Sequence, residues 1–225
     1  GSKQAMVLPE QPKKIIIIGA GAIGIEFAYF FNAFGTKVTV VEMLPNILPV
    51  EDTEVSVALE KSLTKQGIRF LTGTKVDQAE VTDKGVKLTV SGRTNETLEA
   101  PIALVAIGVA SLLPEGLKVK LDPKGWIHTN DRYETSMRGV FAAGDIIGPP
   151  WLAHVASFEA IQAVEGMFAG KSPRKVDVFP GCTYCEPQVA SVGLTERAAK
   201  DKGLKYKVGK FPFMASGKAL AVGES

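Results

Sequence analysis

The stretch from Lys13 to Glu42, KKIIIIGAGAIGIEFAYFFNAFGTKVTVVE, constrains the fold of this 225-residue chain more than any other. Ile15–Ile18 is a purely β-branched run, suited to a strand buried on both faces of a parallel sheet. It leads straight into Gly19-Ala20-Gly21-Ala22-Ile23-Gly24, a G-x-G-x-x-G pattern, and then into an apolar helical stretch that Gly35 can end. Lys37–Glu42 reads as a second strand that finishes on a carboxylate. Gly19 permits the tight turn, Gly21 lets the backbone approach a pyrophosphate, and Gly24 lets the helix pack closely on the strand. The free N–H groups of the helix start then face the phosphates. Glu42, eighteen residues past Gly24, is placed to hydrogen-bond an adenosine ribose. A second phosphate on that ribose would meet its charge, a repulsion on the order of a few kcal/mol at contact distance. The expected cofactor is therefore NAD rather than NADP.

Composition narrows the function classes. The net charge is +2 with both signs interspersed, so nucleic acid is not an expected partner. No apolar run approaches the roughly 18 residues of a membrane span and no signal peptide is visible, so no membrane partner is expected. With only two cysteines, a disulfide framework is not expected and the default location is a reducing cytoplasm. Gly1-Ser2 reads as a cloning scar.

Beyond the first unit, Asp52 can cap a helix over Thr53–Gln66, with Val55, Leu59 and Leu63 on one face. Gly67 ends it before a short strand at Ile68–Leu71, completing β-α-β-α-β. The period then changes. Lys75–Val81 and Val86–Val90 flank the hairpin signal Asp83-Lys84-Gly85, and Thr97–Ala100 follows a second turn. A three-stranded meander thus replaces the next crossover helix. Pro101–Ile107 returns as a buried strand ending at Gly108, near where strand carboxyl ends meet a ligand. Residues 109–125 form a glycine- and proline-rich loop. Gly139–Asp145 reads as a strand broken by glycine, and Leu152–Gly170 as a helix. Strands at Val189–Val192 and Tyr206–Phe211 surround a short helix at Glu196–Lys202, and Ser225 falls within what reads as a strand or hairpin.

Taken together, IIIIGAGAIGIEFA, TKVTVVEMLPNILP, ALVAIG, TSMRGVFAAGDIIG, LAHVASFEA, EPQVASVGLTE and VGKFPF resemble the two-dinucleotide-binding flavoprotein disulfide reductases, and among them the dihydrolipoamide dehydrogenases. They span nearly all of residues 13–213 in family order. The resemblance implies an α/β fold: a Rossmann-like parallel sheet with a β-meander crossover, then a central region and a truncated α+β dimerisation domain. It divides the chain into a lead-in (1–12), an NAD-binding domain (13–108), a flavin-contacting region (109–177) and the start of a dimerisation domain (178–225). It implies that Gly19 to Gly24 hold the NAD pyrophosphate, Glu42 the adenosine ribose, Val76 the adenine side and Glu26 the nicotinamide ribose. Ala106, Ile107 and Gly108 would approach the cofactor across the sheet end. Asp145 would hydrogen-bond the ribityl chain of FAD, and Ala153 would open a helix facing the flavin ring.

The implied activity is oxidation of protein-bound dihydrolipoamide, with electrons passing through a disulfide and FAD to NAD, in a homodimer serving 2-oxo acid dehydrogenase complexes and their lipoyl domains. The family's glycine-rich FAD domain with its Cys-x4-Cys pair, and its His-Pro…Glu element, have no counterpart in these residues; His128 and His154 are not followed by proline. Val109-Ala-Ser-Leu-Leu replaces the family's Arg and Pro-Asn. The expectation for these residues alone is NAD(H) binding without turnover. Two alternatives stand beside it: a non-catalytic nucleotide-binding module, or a piece of a related flavoprotein such as an NADH oxidase or mercuric reductase. Cys182 and Cys185 have redox spacing, but they lead into a strand rather than open a helix and read as small strand residues. For Glu26 a first-turn acid favoured by the helix dipole stays open beside the ribose role. His154 reads as a helix-start residue, and Phe27, Phe30, Phe31 and Phe34 as helix core.

Overall fold

In the computed structural model, residues 1–174 and 178–223 are described. The chain divides into two compact units, one of residues 1–107 with 182–225 and one of residues 108–181. The first opens with a single helical turn, α1 (Ser2–Ala5), then alternates: β1 (Lys14–Ile18), α2 (Ala22–Ala33), β2 (Lys37–Val41), α3 (Thr53–Lys65) and β3 (Arg69–Leu71). The meander follows as β4 (Thr74–Thr82), β5 (Gly85–Gly92) and β6 (Glu96–Ala100), and β7 (Ile102–Val105) returns to the first sheet.

That sheet has the order β3-β2-β1-β7 and every pairing in it is parallel. Ile16 sits at its centre, opposite Thr39 on one side and Ala103 on the other. Strand alternation sends Ile15 and Ile17 to one face and Ile16 to the other. Ile15 and Ile17 join Val38, Val40 and Leu104 under Ile25, Ala28, Phe31, Leu59 and Leu63 of the two helices. Ile16 and Val41 join Leu88, Val90, Leu98 and Ala100 of the meander. Helices thus cover one face and the antiparallel meander β4-β5-β6 the other, which is why β1 is apolar on both sides. The parallel sheet with a meander crossover is the fold that the sequence predicts.

Three local expectations change. Val55 is partly exposed while Ser56 joins Leu59 and Leu63 in the buried face of α3, because 3.6 residues per turn rotate Val55 away from that contact. Asp52 stands at the start of α3 but its side chain makes no bond there; it accepts the Glu196 N–H instead, 3.2 Å from either oxygen. Of the three phenylalanines of α2 and Phe34 at its C-cap, Phe31 is buried, whereas Phe30 and Phe34 are 51% and 64% exposed, their rings tilted against each other with centroids 5.0 Å apart.

In the second unit, Gly139–Asp145 forms no strand. It makes one bridge, Glu134 to Phe141, and then a 3-10 turn at Gly144–Ile147. The helix α4 (Ala153–Phe168) follows. Downstream come β8 (Pro180–Thr183), β9 (Val189–Val192), which pairs with it, and α5 (Glu196–Asp201). Tyr206–Phe211 is not a strand, since no described segment offers it a ladder. The last described element is a helix: α6 (Gly217–Val222) starts at Ser216, whose hydroxyl accepts the Ala219 N–H. The expected domain limit at residue 177 and the terminal Ser225 lie outside the described residues.

Candidate functional site

The glycine loop is built by close approaches that leave one opening. The Gly19 N–H donates to Val41 O at 2.8 Å, and Ala106 N–H to Ile18 O at 2.8 Å, so β2 and β7 flank the end of β1. A Cβ on Gly19, whose φ is +103°, would lie 2.5 Å from Ala106 O, and one on Gly24 would run into the Gly19 carbonyl. Protein packing alone therefore dictates those two glycines. Gly21 is different: a Cβ there would meet nothing within 4 Å. Its φ of −70° and ψ of −179° suit any residue, so the fold gives no reason for glycine; a ligand that must touch the backbone does. Gly21 is also the N-cap of α2, with no side chain capping the free N–H groups beyond it. Ala20 is buried beneath, whereas Ala22 and Ile23 lie exposed at the helix start.

Glu42 is buried at the end of β2. Its Oε2 accepts the Ala20 N–H at 2.7 Å and its Oε1 the Leu44 N–H at 2.7 Å. The acid is thereby tied to the glycine loop, while each oxygen keeps a lone pair for a ribose hydroxyl. These groups fit a dinucleotide: free helix-start donors, an open backbone face and a charged acceptor. Ile107 is 73% exposed and Gly108 has open space around its Cα. Val76 is partly buried against the meander-side core, opposite Val90 beside a bulge.

Glu26 is not a first-turn acid. It begins the second turn of α2, and its Oε1 accepts the Tyr184 N–H at 2.8 Å. This contact between residues far apart in sequence has no local signal. Cys182 and Cys185 are both free, one exposed and one buried. Burial pushes the Cys185 thiol up to about 11, with the charges of Glu26 and Glu186 adding to the effect. A buried, protonated thiol is a poor nucleophile. Cys185 lies beyond the end of β8 and donates to Pro187 O at 3.2 Å.

In the second unit, the 3-10 turn carries Asp145, which is exposed, and Ala153 lies exposed at the start of α4, where no side chain caps the helix. An acid for a sugar hydroxyl and bare helix-start donors for an electron-rich ring form a donor set that fits the ribityl and ring portions of a flavin. His154 Nε2 donates to Pro180 O at 3.0 Å. Glu159, which the sequence does not single out, reaches from α4 so that its Oε2 accepts the Gly144 N–H at 2.8 Å. Among the described residues no cluster of metal-binding side chains occurs, and no helix is long and apolar enough to cross a membrane.

Comparison with known proteins identifies the family. Residues 1–160 match the family described as pyridine nucleotide-disulphide oxidoreductase, and residues 179–225 match its dimerisation domain. Dihydrolipoyl dehydrogenase of Chlorobaculum tepidum is 45% identical over 99% of this chain and 49% of its own length. The Bacillus subtilis enzyme of the same name is 44% identical over 100% of this chain and 49% of its own. The chain thus spans about half the length of the curated relatives it matches. Among solved structures, the copper(II) complex of the HOCl-induced flavoprotein disulfide reductase RclA from Escherichia coli superposes with a TM-score of 0.84 at 25% identity, covering 96% of this chain and 51% of RclA.

Proposed function

The chain belongs to the pyridine nucleotide-disulphide oxidoreductase family, and on that premise we propose that it is the NAD-binding and flavin-contacting part of a dihydrolipoyl dehydrogenase. The observation that carries the reading is the open backbone at Gly21 beside a Glu42 carboxylate already oriented by two N–H groups. FAD, held at Asp145 and the start of α4, would supply two-electron transfer from a dihydrolipoyl dithiol, and NAD, held at the glycine loop and Glu42, would supply the hydride acceptor, with the second proton going to solvent.

The chain's own residues bind and orient. The N–H groups at the start of α2 receive the pyrophosphate, and Gly21 lets it approach. Glu42 accepts the adenosine ribose hydroxyls and repels a phosphate at that position. Glu26 is held near the nicotinamide ribose, Val76 lies on the adenine side, and Ala106, Ile107 and Gly108 line the approach across the sheet end. Asp145 accepts from the ribityl chain and the start of α4 at Ala153 favours negative charge on the flavin ring. Residues 13–108 form the NAD-binding part, 109–177 the flavin-contacting part and 178–225 part of the dimer-forming region. The partners are a second copy of the chain and a lipoyl domain of a 2-oxo acid dehydrogenase complex.

These 225 residues alone bind NAD(H) without turnover: Cys185 is buried with a raised pKa, and neither histidine stands in a His-Pro element. A fluorescence titration tests the first part, with saturable NADH binding and much weaker NADPH binding expected; equal affinity for the two overturns the role of Glu42. Incubation with FAD followed by desalting tests the second. No flavin band is expected to survive desalting, because the contacts at Asp145 and at the start of α4 hold a flavin weakly, at the level an equilibrium titration reads; a stoichiometric retained band would restore a catalytic reading for these residues.

A further inference from the structure

The 3-10 turn at Gly144–Ile147 has a weakness of its own. Its N-cap is Ala143, which has no side chain able to satisfy the turn's first N–H. That N–H is satisfied from another element, by Glu159 Oε2 at 2.8 Å, a charge-assisted bond. Glu159 lies one turn beyond Ala156 on α4, on the same helix face. Ala156 completes the contact, since a Cβ on Gly144, whose φ is +78°, would lie 2.9 Å from the Ala156 Cβ. The segment carrying Asp145 is therefore clamped to α4 at two adjacent points. The same helix begins at Ala153 without a side-chain cap. The distance between an acid for the ribityl chain and a helix start for the ring is set by this clamp, because both groups belong to elements that Glu159 joins.

We infer that Glu159 is the positioning residue of the flavin-contacting region, fixing Asp145 relative to the start of α4 by capping the Gly144 N–H. The inference rests on the reading of Asp145 and Ala153 as flavin contacts. Glu159 itself touches no cofactor in this scheme. It acts through the turn, so its removal should matter only as far as Asp145 matters.

The test is an equilibrium titration of riboflavin, which carries the ribityl chain and ring but no adenine nucleotide, against the 225-residue chain with the NAD site saturated by NAD. Flavin fluorescence and the induced visible circular dichroism are both read, as are thermal midpoints. E159A is expected to weaken riboflavin binding roughly tenfold, the scale of one lost charge-assisted hydrogen bond, and to reduce the induced dichroism. E159Q, whose amide oxygen accepts the same N–H, should stay within about twofold of the parent. The double variant D145A/E159A should bind no more than about twofold more weakly than D145A, since both changes remove one interaction. A purely structural role predicts the opposite pattern: a lowered thermal midpoint, unchanged dichroism at saturation and multiplying effects in the double variant. E159D, whose shorter side chain does not reach Gly144, supplies a milder disruption should E159A not fold. Loss of binding in D145A with none in E159A or E159D overturns the role of Glu159 alone. Failure of the parent chain to bind riboflavin overturns the flavin reading and this inference with it.

Discussion

Two glycines of one motif should respond in opposite ways to the same added methyl group. At Gly21 a Cβ meets no protein atom, and at Gly24 it meets the Gly19 carbonyl. Gly21→Ala should leave stability within about 1 kcal/mol, a small loss at the N-cap against a gain from a stiffer unfolded chain. It should weaken NADH binding at least roughly tenfold, because the methyl occupies the face that a pyrophosphate would use. Gly24→Ala should cost at least about 2 kcal/mol through overpacking against backbone. Thermal melts paired with NADH titrations separate the two, and a Gly21→Ala chain with unchanged NADH affinity would remove the ligand-based reason for that glycine. Cys185 offers a residue-level test of a different kind. Its folded pKa of about 11 lies above the ordinary thiol value of 9.0, so the unfolded chain loses its proton first as pH rises. The stabilisation is complete below pH 9 and disappears between pH 9 and 11, on the order of 2 kcal/mol. Urea melts at pH 8, 9.5 and 11 should show this decline in the parent and less of it in Cys185→Ala.

At the scale of elements, α3 and α5 share one acid in an unexpected way. Asp52 leads α3, yet its carboxylate accepts the first N–H of α5 at Glu196, while the Arg197 guanidinium donates to Pro49 O at 2.9 Å. Asp52→Ala should therefore cost about 1 kcal/mol and raise hydrogen exchange at Glu196, leaving the first turn of α3 unchanged. Faster exchange confined to α3 would mean that the local capping rule holds in solution after all. The same pair shows where sequence reasoning stops. β1, β2, the meander strands and α2 were legible because β-branched runs, turn residues and a glycine motif each encode local structure that tertiary packing reinforces. The partners of Asp52, Glu26 and Glu159 lie between 15 and 158 residues away, and no local pattern records them. Tyr206–Phe211 has strand composition but finds no ladder among the described residues, whereas the helix at Gly217–Val222 follows a serine cap at Ser216.

For the whole molecule, the apolar side chains that remain outside define what it should do in solution. Phe211, Phe213, Met214 and Leu220 are 73%, 75%, 70% and 57% exposed, all within residues that match a dimerisation domain. Exposed clusters of large apolar groups mark interaction surfaces, and a two-stranded sheet such as β8-β9 carries unpaired edges and little stability of its own. The chain should therefore self-associate as its concentration rises, and sedimentation velocity should show the mean mass climbing above that of the monomer. Phe213→Lys should return the distribution toward monomer while changing monomer stability by less than about 0.5 kcal/mol, because the side chain is mostly in water already. NADH affinity should not change in that variant, since the glycine loop and Glu42 are held by β1, β2 and β7. A monodisperse monomer at high concentration would mean that this apolar surface is not sufficient for pairing and that the dimer contacts of the family are made elsewhere.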